Sequence, residues 1–411
     1  MIVAGLSTVV EWYDFTLYLY FSTVLARVFF GTGPQSMTET LGGFAIAYLM
    51  RPVGALVFGH FGDRLGRRVT MLGSMSLMTV ATLATAMLPT YAQIGPLAGV
   101  LLIALRCLMS FSVGGEYTGV VAYLLEGAKD SRRGLITSCA SAASEIGALL
   151  AAAAAALTVW AVPEGSLISW GWRLPFLFGA ALAGLVLITR ATLEETPEFL
   201  RQRDVGTVPE NPIRQTLKRH RGAIGRGFAI SALGSITYYV GITYVPTFLD
   251  ATGTMPETRA LSISVLAALT VILVTPVIGL ASDRFGRRPT LLALALASII
   301  LPTAMFAAMV GGGTSTWAGA IVLAALGGAV SAVGAVTTAE QFPGEGRLSG
   351  LALGATSATA IFGGLTPLFA HLLVTNSGWA AAPGVMIACV ALCVIIVFWH
   401  MPETAPACTK P

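Results

Sequence analysis

Six ionisable residues, Glu11, Asp14, Arg51, Arg106, Glu116 and Glu145, stand inside stretches that are otherwise apolar. Charges in such surroundings are costly and mark ion or substrate paths. Glu11, Asp14 and Tyr18 fall at i, i+3 and i+7, so a helix would carry them on one face. Two carboxylates this close in a low dielectric do not both ionise comfortably, so one is expected to exchange a proton. Arg106 and Glu116 lie on one segment but about 15 Å apart along its axis and roughly 80° apart in rotation. They cannot pair with each other, and each needs a partner on another helix. Arg51 and the two acids near the N-terminus are the natural candidates. Glu116 shares its face with Ser112, Gly119 and Tyr123, and Arg106 aligns with Tyr117. Tyr238, Tyr239 and Tyr244 in TYYVGITYVP could form a cation–π surface for a quaternary ammonium. Arg51 and Arg106 acting together would instead suit a dicarboxylate.

These groups need helices in lipid to position them. The 411 residues are 55% hydrophobic and 11% charged, with a mean hydropathy of +0.79. Soluble domains carry about 25% charged residues, so lipid must solvate most of this chain. A spanning helix takes about 20 apolar residues. Twelve runs qualify: 3–28, 38–60, 70–88, 96–125, 135–160 and 173–190, then 224–249, 260–281, 290–310, 316–338, 350–374 and 381–400. The expected fold is an all-α membrane protein of twelve transmembrane helices in two six-helix halves. Residues 1–190 form the first bundle, 191–222 a central loop, 223–400 the second bundle and 401–411 a short tail. A closed barrel would show alternating segments of about ten residues, and none occur.

Alternating the spans places 19 of the 24 Lys and Arg residues on one side, together with both termini. The positive-inside rule makes that side the cytoplasm. Trp160, Trp170, Trp172, Trp317 and Trp379 fall at the opposite, outer interface, where indole rings anchor well. The five cysteines show neither disulfide nor metal-site spacing. His371 and His400 read as packing or interface residues. The run of six alanines at 151–156 suits close helix packing. Glu11 and Asp14 exclude a cleavable signal peptide, and the chain begins almost inside its first helix, so a short leader is expected to precede it.

An internal repeat supports the two halves. GHFGDRLGRR at 59–68 recurs as GLASDRFGRR at 279–288. Gly59, Asp63, Arg64, Gly66, Arg67 and Arg68 match Gly279, Asp283, Arg284, Gly286, Arg287 and Arg288. A weaker echo pairs YLLEGAKDSRRG (123–134) with AEQFPGEGRLSG (339–350). Such parallel repeats occur where two halves are related about the membrane normal. The glycines permit a tight turn, and the arginines hold topology. Asp63 and Asp283 are placed to meet a helix N-terminus or a cation. The loops are therefore expected to act as gate latches.

The repeated loop resembles the signature between helices 2 and 3 of the major facilitator superfamily. EWYDF (11–15), LMRPVGALVFGHFGDRLGRR (49–68), FSVGGEYTG (111–119), WGWRLPF (170–176), LEETPEF (193–199), TYYVGITYVPTFL (237–249) and SDRFGRRP (282–289) extend the likeness. The subgroup it resembles is the metabolite–proton symporters, which include carriers of proline or betaine, α-ketoglutarate, citrate and shikimate. FSVGGEYTG, the TYY segment and GGLTP (363–367) look most like the proline/betaine carriers. The resemblance implies proton coupling at Asp14, Glu11 and Glu116, with Arg106 as the helix-4 cation. The candidate substrate-binding residues are Arg51, Tyr18, Tyr117, Tyr238, Tyr239 and Glu145. Subgroup members carry Gln or Asp early in helix 5; here Ser141 stands in that place and Glu145 one turn later.

The expected function is proton-driven uptake of a zwitterionic osmolyte such as proline or glycine betaine by alternating access. A carboxylate such as α-ketoglutarate, citrate or shikimate is the alternative cargo. The proton is the coupling ion, with no cofactor or metal. The expected partners are a small solute and the bilayer of a bacterial inner membrane, with no nucleic acid and a working monomer. The absence of a GxxxxGK[ST] loop argues against an ATP-driven pump, and that of HExxH and GxSxG against a hydrolase. Helix 5 lacks the Gly-Pro motif of drug exporters. About eleven residues follow the last helix, too few for a signalling domain or the long C-terminal coiled coil of osmosensing carriers.

Overall fold

A computed structural model describes residues 2–31, 33, 35–192, 194–255 and 257–409. Within these, the side chains of 2–4, 37, 38, 41, 44, 45, 117, 257–261, 407 and 409 are not described. Every long element among the described residues is helical, as lipid demands, because a helix satisfies its own backbone groups. Twelve helical segments follow the twelve apolar runs. They are α1 (2–30), α2 (36–65), α3 (Arg67–Met87), α4 (Leu97–Gly127), α5 (Arg133–Ala161) and α6 (Arg173–Arg190). After them come α7 (221–251), α8 (Glu257–Phe285), α9 (Arg287–Met309), α10 (Thr314–Glu340), α11 (347–377) and α12 (Ala382–His400). Among the described residues, nine helices are long and apolar enough to span a membrane on their own, and α7 joins them if its two pieces, bent by 47°, count as one.

Several helices are interrupted. A π-helical turn closes α1 at Ala26–Phe30, and others sit at Tyr239–Thr243 in α7 and Ala352–Thr356 in α11. Such turns are frequent at functional sites. The α7 turn falls on the tyrosine segment and is followed by Pro246, which has no N–H to continue the ladder. Between α6 and α7 the polar stretch folds into two short helices, Pro197–Val205 and Pro212–Arg219.

The chain divides into two compact units. Unit 1 holds residues 1–123 and 143–211; unit 2 holds 124–142 and 212–411. The end of α4 and the first turns of α5 thus pack with the second half of the sequence. Unit 1 has an aromatic core of Tyr13, Tyr18, Phe21, Phe29, Trp172 and Phe176, against which Ala151 and Ala155 of the alanine run pack. Unit 2 has apolar clusters around Phe248 and Phe306 and around Leu291, Val333 and Phe398. Trp160, Trp170, Trp317 and Trp379 are exposed, as an interfacial belt requires, but Trp172 is not. It is fully buried, in edge contact with Phe29 at 4.9 Å between ring centroids.

Candidate functional site

The charged residues expected to sit in lipid are buried and mostly matched. Asp14 on α1 is 1% exposed and Arg106 on α4 is 4% exposed. Arg106 Nη1 donates to Asp14 Oδ2 at 2.6 Å, and Thr82 Oγ1 of α3 donates to Oδ1 at 3.0 Å. The same guanidinium stands 5.4 Å from the Tyr18 ring centroid and 5.8 Å from that of Phe176. Asp14 is therefore the partner on another helix that Arg106 required.

Glu116 finds a partner the sequence did not suggest. Arg190, the last residue of α6, is fully buried and clamps Glu116 with Nη2–Oε1 at 2.5 Å and Nη1–Oε2 at 2.9 Å. Ser74 Oγ of α3 donates to Glu116 Oε2 at 2.8 Å, and Arg190 also bonds Met71 O and Ser7 Oγ. Arg190 closes the sixth expected span, at the cation-rich side; the structure places its side chain inside the helix bundle. The apolar run ahead of it carries the helix end inward, where a buried charge must have a counter-charge.

Arg51 and Glu11 behave differently. Arg51 Cζ lies 4.3 Å from the Phe15 ring centroid and 4.7 Å from that of Tyr48, so two aromatic faces hold the guanidinium. Its buried Nε has no hydrogen-bond partner, and no carboxylate lies within 4.0 Å of it among the described residues. The α2–α4 crossing that places it is a backbone contact: a Cβ on Gly54 would stand 1.8 Å from Phe111 O, and one on Gly114 2.1 Å from Arg51 O. Only glycine fits at that approach. Glu11 is 2% exposed, with Oε2 buried and unpartnered. Its charged neighbours are Arg51, Glu116 and Arg190. A narrow gap is lined by Asp14, Phe15, Arg51, Arg106, Ser110 and neighbouring apolar groups.

The remaining candidates are spread over both units. Tyr18 is a packed ring whose hydroxyl donates to Thr40 O at 2.9 Å, so that group is engaged. The Tyr117 side chain lies outside the described residues. Glu145 is buried on α5. Tyr238 and Tyr239 are half-buried in unit 2, in edge contact at 5.4 Å. Tyr244 is buried against His371, with ring centroids 6.2 Å apart.

The repeated loops are built alike. Gly66 and Gly286, at φ of 111° and 99°, end α2 and α8 in a conformation that favours glycine. Behind each, a glutamate caps the next helix. Glu195 Oε1 accepts from Arg67 N at 3.0 Å and Oε2 from Arg68 N at 3.1 Å. Glu403 accepts from Arg287 N at 2.8 Å and Arg288 N at 3.0 Å. Arg68 and Arg288 reach back to Ala191 O and Trp399 O at the ends of α6 and α12. Arg64 and Arg284 are exposed, whereas Gly59 is buried. Asp63 is buried beside Arg67, 3.5 Å away. Asp283 meets both partners expected of it. It accepts from Arg287 Nη2 at 2.8 Å and from the first amides of α5, Gly134 N at 2.7 Å and Leu135 N at 2.9 Å. Arg287 also bonds Glu340, and Arg347 pairs with Glu126 at 2.6 Å.

Long apolar helices that bury paired charges mark a polytopic membrane protein. Comparison with known proteins gives the family. Residues 1–207 match the family model "Sugar (and other) transporter", and residues 254–410 match "Major Facilitator Superfamily". The chain is 32% identical to a proline/betaine transporter of Salmonella typhimurium, covering 98% of this chain and 83% of that protein. It is 32% identical to a citrate-proton symporter of Klebsiella pneumoniae (95% and 88% covered) and 33% identical to an alpha-ketoglutarate permease of Escherichia coli (88% and 84%). The fold superposes on the proton:xylose symporter XylE with a TM-score of 0.81 at 19% identity, covering 98% and 95% of the two chains. The chain belongs to the major facilitator superfamily and is a multi-pass transporter.

Proposed function

We propose that this transporter takes up a small polar metabolite together with a proton, with a zwitterion such as proline or glycine betaine as the first-choice cargo. The observation that carries this reading is the buried cluster of Glu11, Asp14, Arg51 and Arg106 beside a narrow gap. It joins proton-exchanging acids to a cation suited to a carboxylate. The names of the relatives support the same class: proline/betaine transporter, citrate-proton symporter and alpha-ketoglutarate permease. Tyr238 and Tyr239 offer faces for a quaternary ammonium, which favours betaine. A carboxylate such as α-ketoglutarate or citrate is the second reading, favoured by Arg51 lying close to Arg106 around one gap.

In this reading both termini face the cytoplasm, the protein works as a monomer, and the two halves of the sequence alternate access to the site. The bonds of Asp283 to the start of α5 and of Arg347 to Glu126 act as latches that must break and re-form in each cycle. The test is uptake by proteoliposomes under an imposed pH gradient, with betaine, proline, α-ketoglutarate, citrate and shikimate in parallel. Accumulation of one of them that collapses when the gradient is dissipated is expected. Uptake indifferent to the gradient would refute symport.

A further inference from the structure

Inside unit 1 the acids Glu11, Asp14 and Glu116 stand among the arginines Arg51, Arg106 and Arg190, and two of the pairings are closed. Both oxygens of Asp14 are engaged, by Arg106 and Thr82. Both oxygens of Glu116 are engaged, by Arg190 and Ser74. The remaining pairing is open. Glu11 Oε2 is buried without a partner, and Arg51, alone of the three arginines, makes no ion pair with a described carboxylate, although the two are charged neighbours.

We propose that this open pair is the coupling device: Glu11 takes the transported proton, Arg51 takes the carboxylate of the solute, and each event favours the other. The proposal rests on the symport reading above and narrows it to two residues. The reasoning is electrostatic. With neither ligand bound, the Glu11 carboxylate and the Arg51 guanidinium offset each other across the interior. A solute carboxylate on Arg51 alone cancels that cation, leaving Glu11 charged and facing Glu116 of α4. Arg190 of α6 is already committed to Glu116 and Ser7, so it cannot compensate fully. A proton on Glu11 alone leaves Arg51 charged between the rings of Phe15 and Tyr48. An uncompensated charge in such surroundings is strongly disfavoured. The empty and doubly loaded states are therefore favoured over the singly loaded ones. That is a reciprocal linkage between two ligands, typically about 5- to 150-fold in affinity. The proton adds to a carboxylate oxygen and leaves from the same oxygen, with no other bond made or broken. Phe15 and Tyr48 fix the plane of the guanidinium so that its free edge can meet a carboxylate.

The test is binding to the purified full-length chain in detergent, using glycine betaine, proline, α-ketoglutarate and citrate as probes, with proton uptake followed by a pH dye. The wild type should take up one proton per probe bound, and affinity should fall about 5- to 150-fold as pH rises through the titration. Glu11→Gln, which mimics the protonated acid, should bind the same probe without proton uptake and with no pH dependence, and should still support solute exchange. Arg51→Gln should lose binding of the carboxylate probe. Thermal melting of each variant establishes that it is folded. Should Glu11→Gln fail to fold, Glu11→Asp takes its place: it should shift the pH at which binding weakens, and an unshifted pH dependence in folded Glu11→Asp would overturn the assignment. Binding without proton uptake in the wild type, no binding of any probe, or pH-dependent binding that persists in folded Glu11→Gln would each overturn the proposal. Gradient-driven uptake of a solute lacking a carboxylate would leave symport standing and remove this assignment. Proton-linked binding without gradient-driven accumulation would do the reverse.

Discussion

Arg190 is where a single side chain should matter most to stability. Removing one partner of a buried ion pair strands the other, at a cost of about 3–5 kcal/mol. Arg190→Met should therefore lower the melting temperature of the purified protein sharply, because Glu116 then lacks its bidentate partner. The double variant Arg190→Met with Glu116→Met should recover most of the loss, since an apolar pair of similar volume replaces a buried ionic one at little cost. Equal destabilisation by the single and double changes would contradict this. The Asp14–Arg106 pairing was legible in the sequence, since the three-residue step from Glu11 and the lone Arg106 demanded partners across helices. Arg190 was not, because a cation at the end of an apolar run looks the same whether it marks the surface or is drawn inward. Trp172 misled in the same way: an indole near a helix end suits an interface as well as a core, and here Phe29 and Phe176 claim it.

At the scale of the element, the capped loops carry the argument. Glu403→Ala should remove the acceptor for the first amides of α9 and cost about 1 kcal/mol. Gly286→Ala should cost more. Its φ of 99° disfavours any side chain, and a Cβ there would stand 2.7 Å from Glu403 Oε2. Melting curves of the two variants give the ranking, and a Gly286→Ala protein as stable as wild type would sink it. The Asp-Arg-x-Gly-Arg-Arg repeat could be read directly, because both copies share spacing and chemistry. Its capping acids could not. Glu195 and Glu403 lie far along the chain, and the segments around them share little beyond Glu-Thr. The break in α7 was likewise hidden: TYYVGITYVP holds a proline, but the π-helical turn before it depends on packing.

For the whole molecule, twelve apolar runs were enough to give an all-helical, two-half transporter, because lipid leaves a chain few ways to satisfy its backbone. The assignment of residues 124–142 to unit 2 needed the fold, since no sequence pattern marks which bundle a helix end leans on. The proposed orientation is testable by cysteine labelling in a variant lacking the native cysteines. Exposed positions Thr207 and Ser377 should react from the cytoplasmic and outer faces respectively, and the opposite pattern would invert the topology. The central claim, that solute and proton move together, is tested most directly by recording both fluxes at once in proteoliposomes. One proton should enter with each solute, and Glu11→Gln should exchange solute while carrying no proton. Solute entry with no accompanying proton in the wild-type protein would contradict the account.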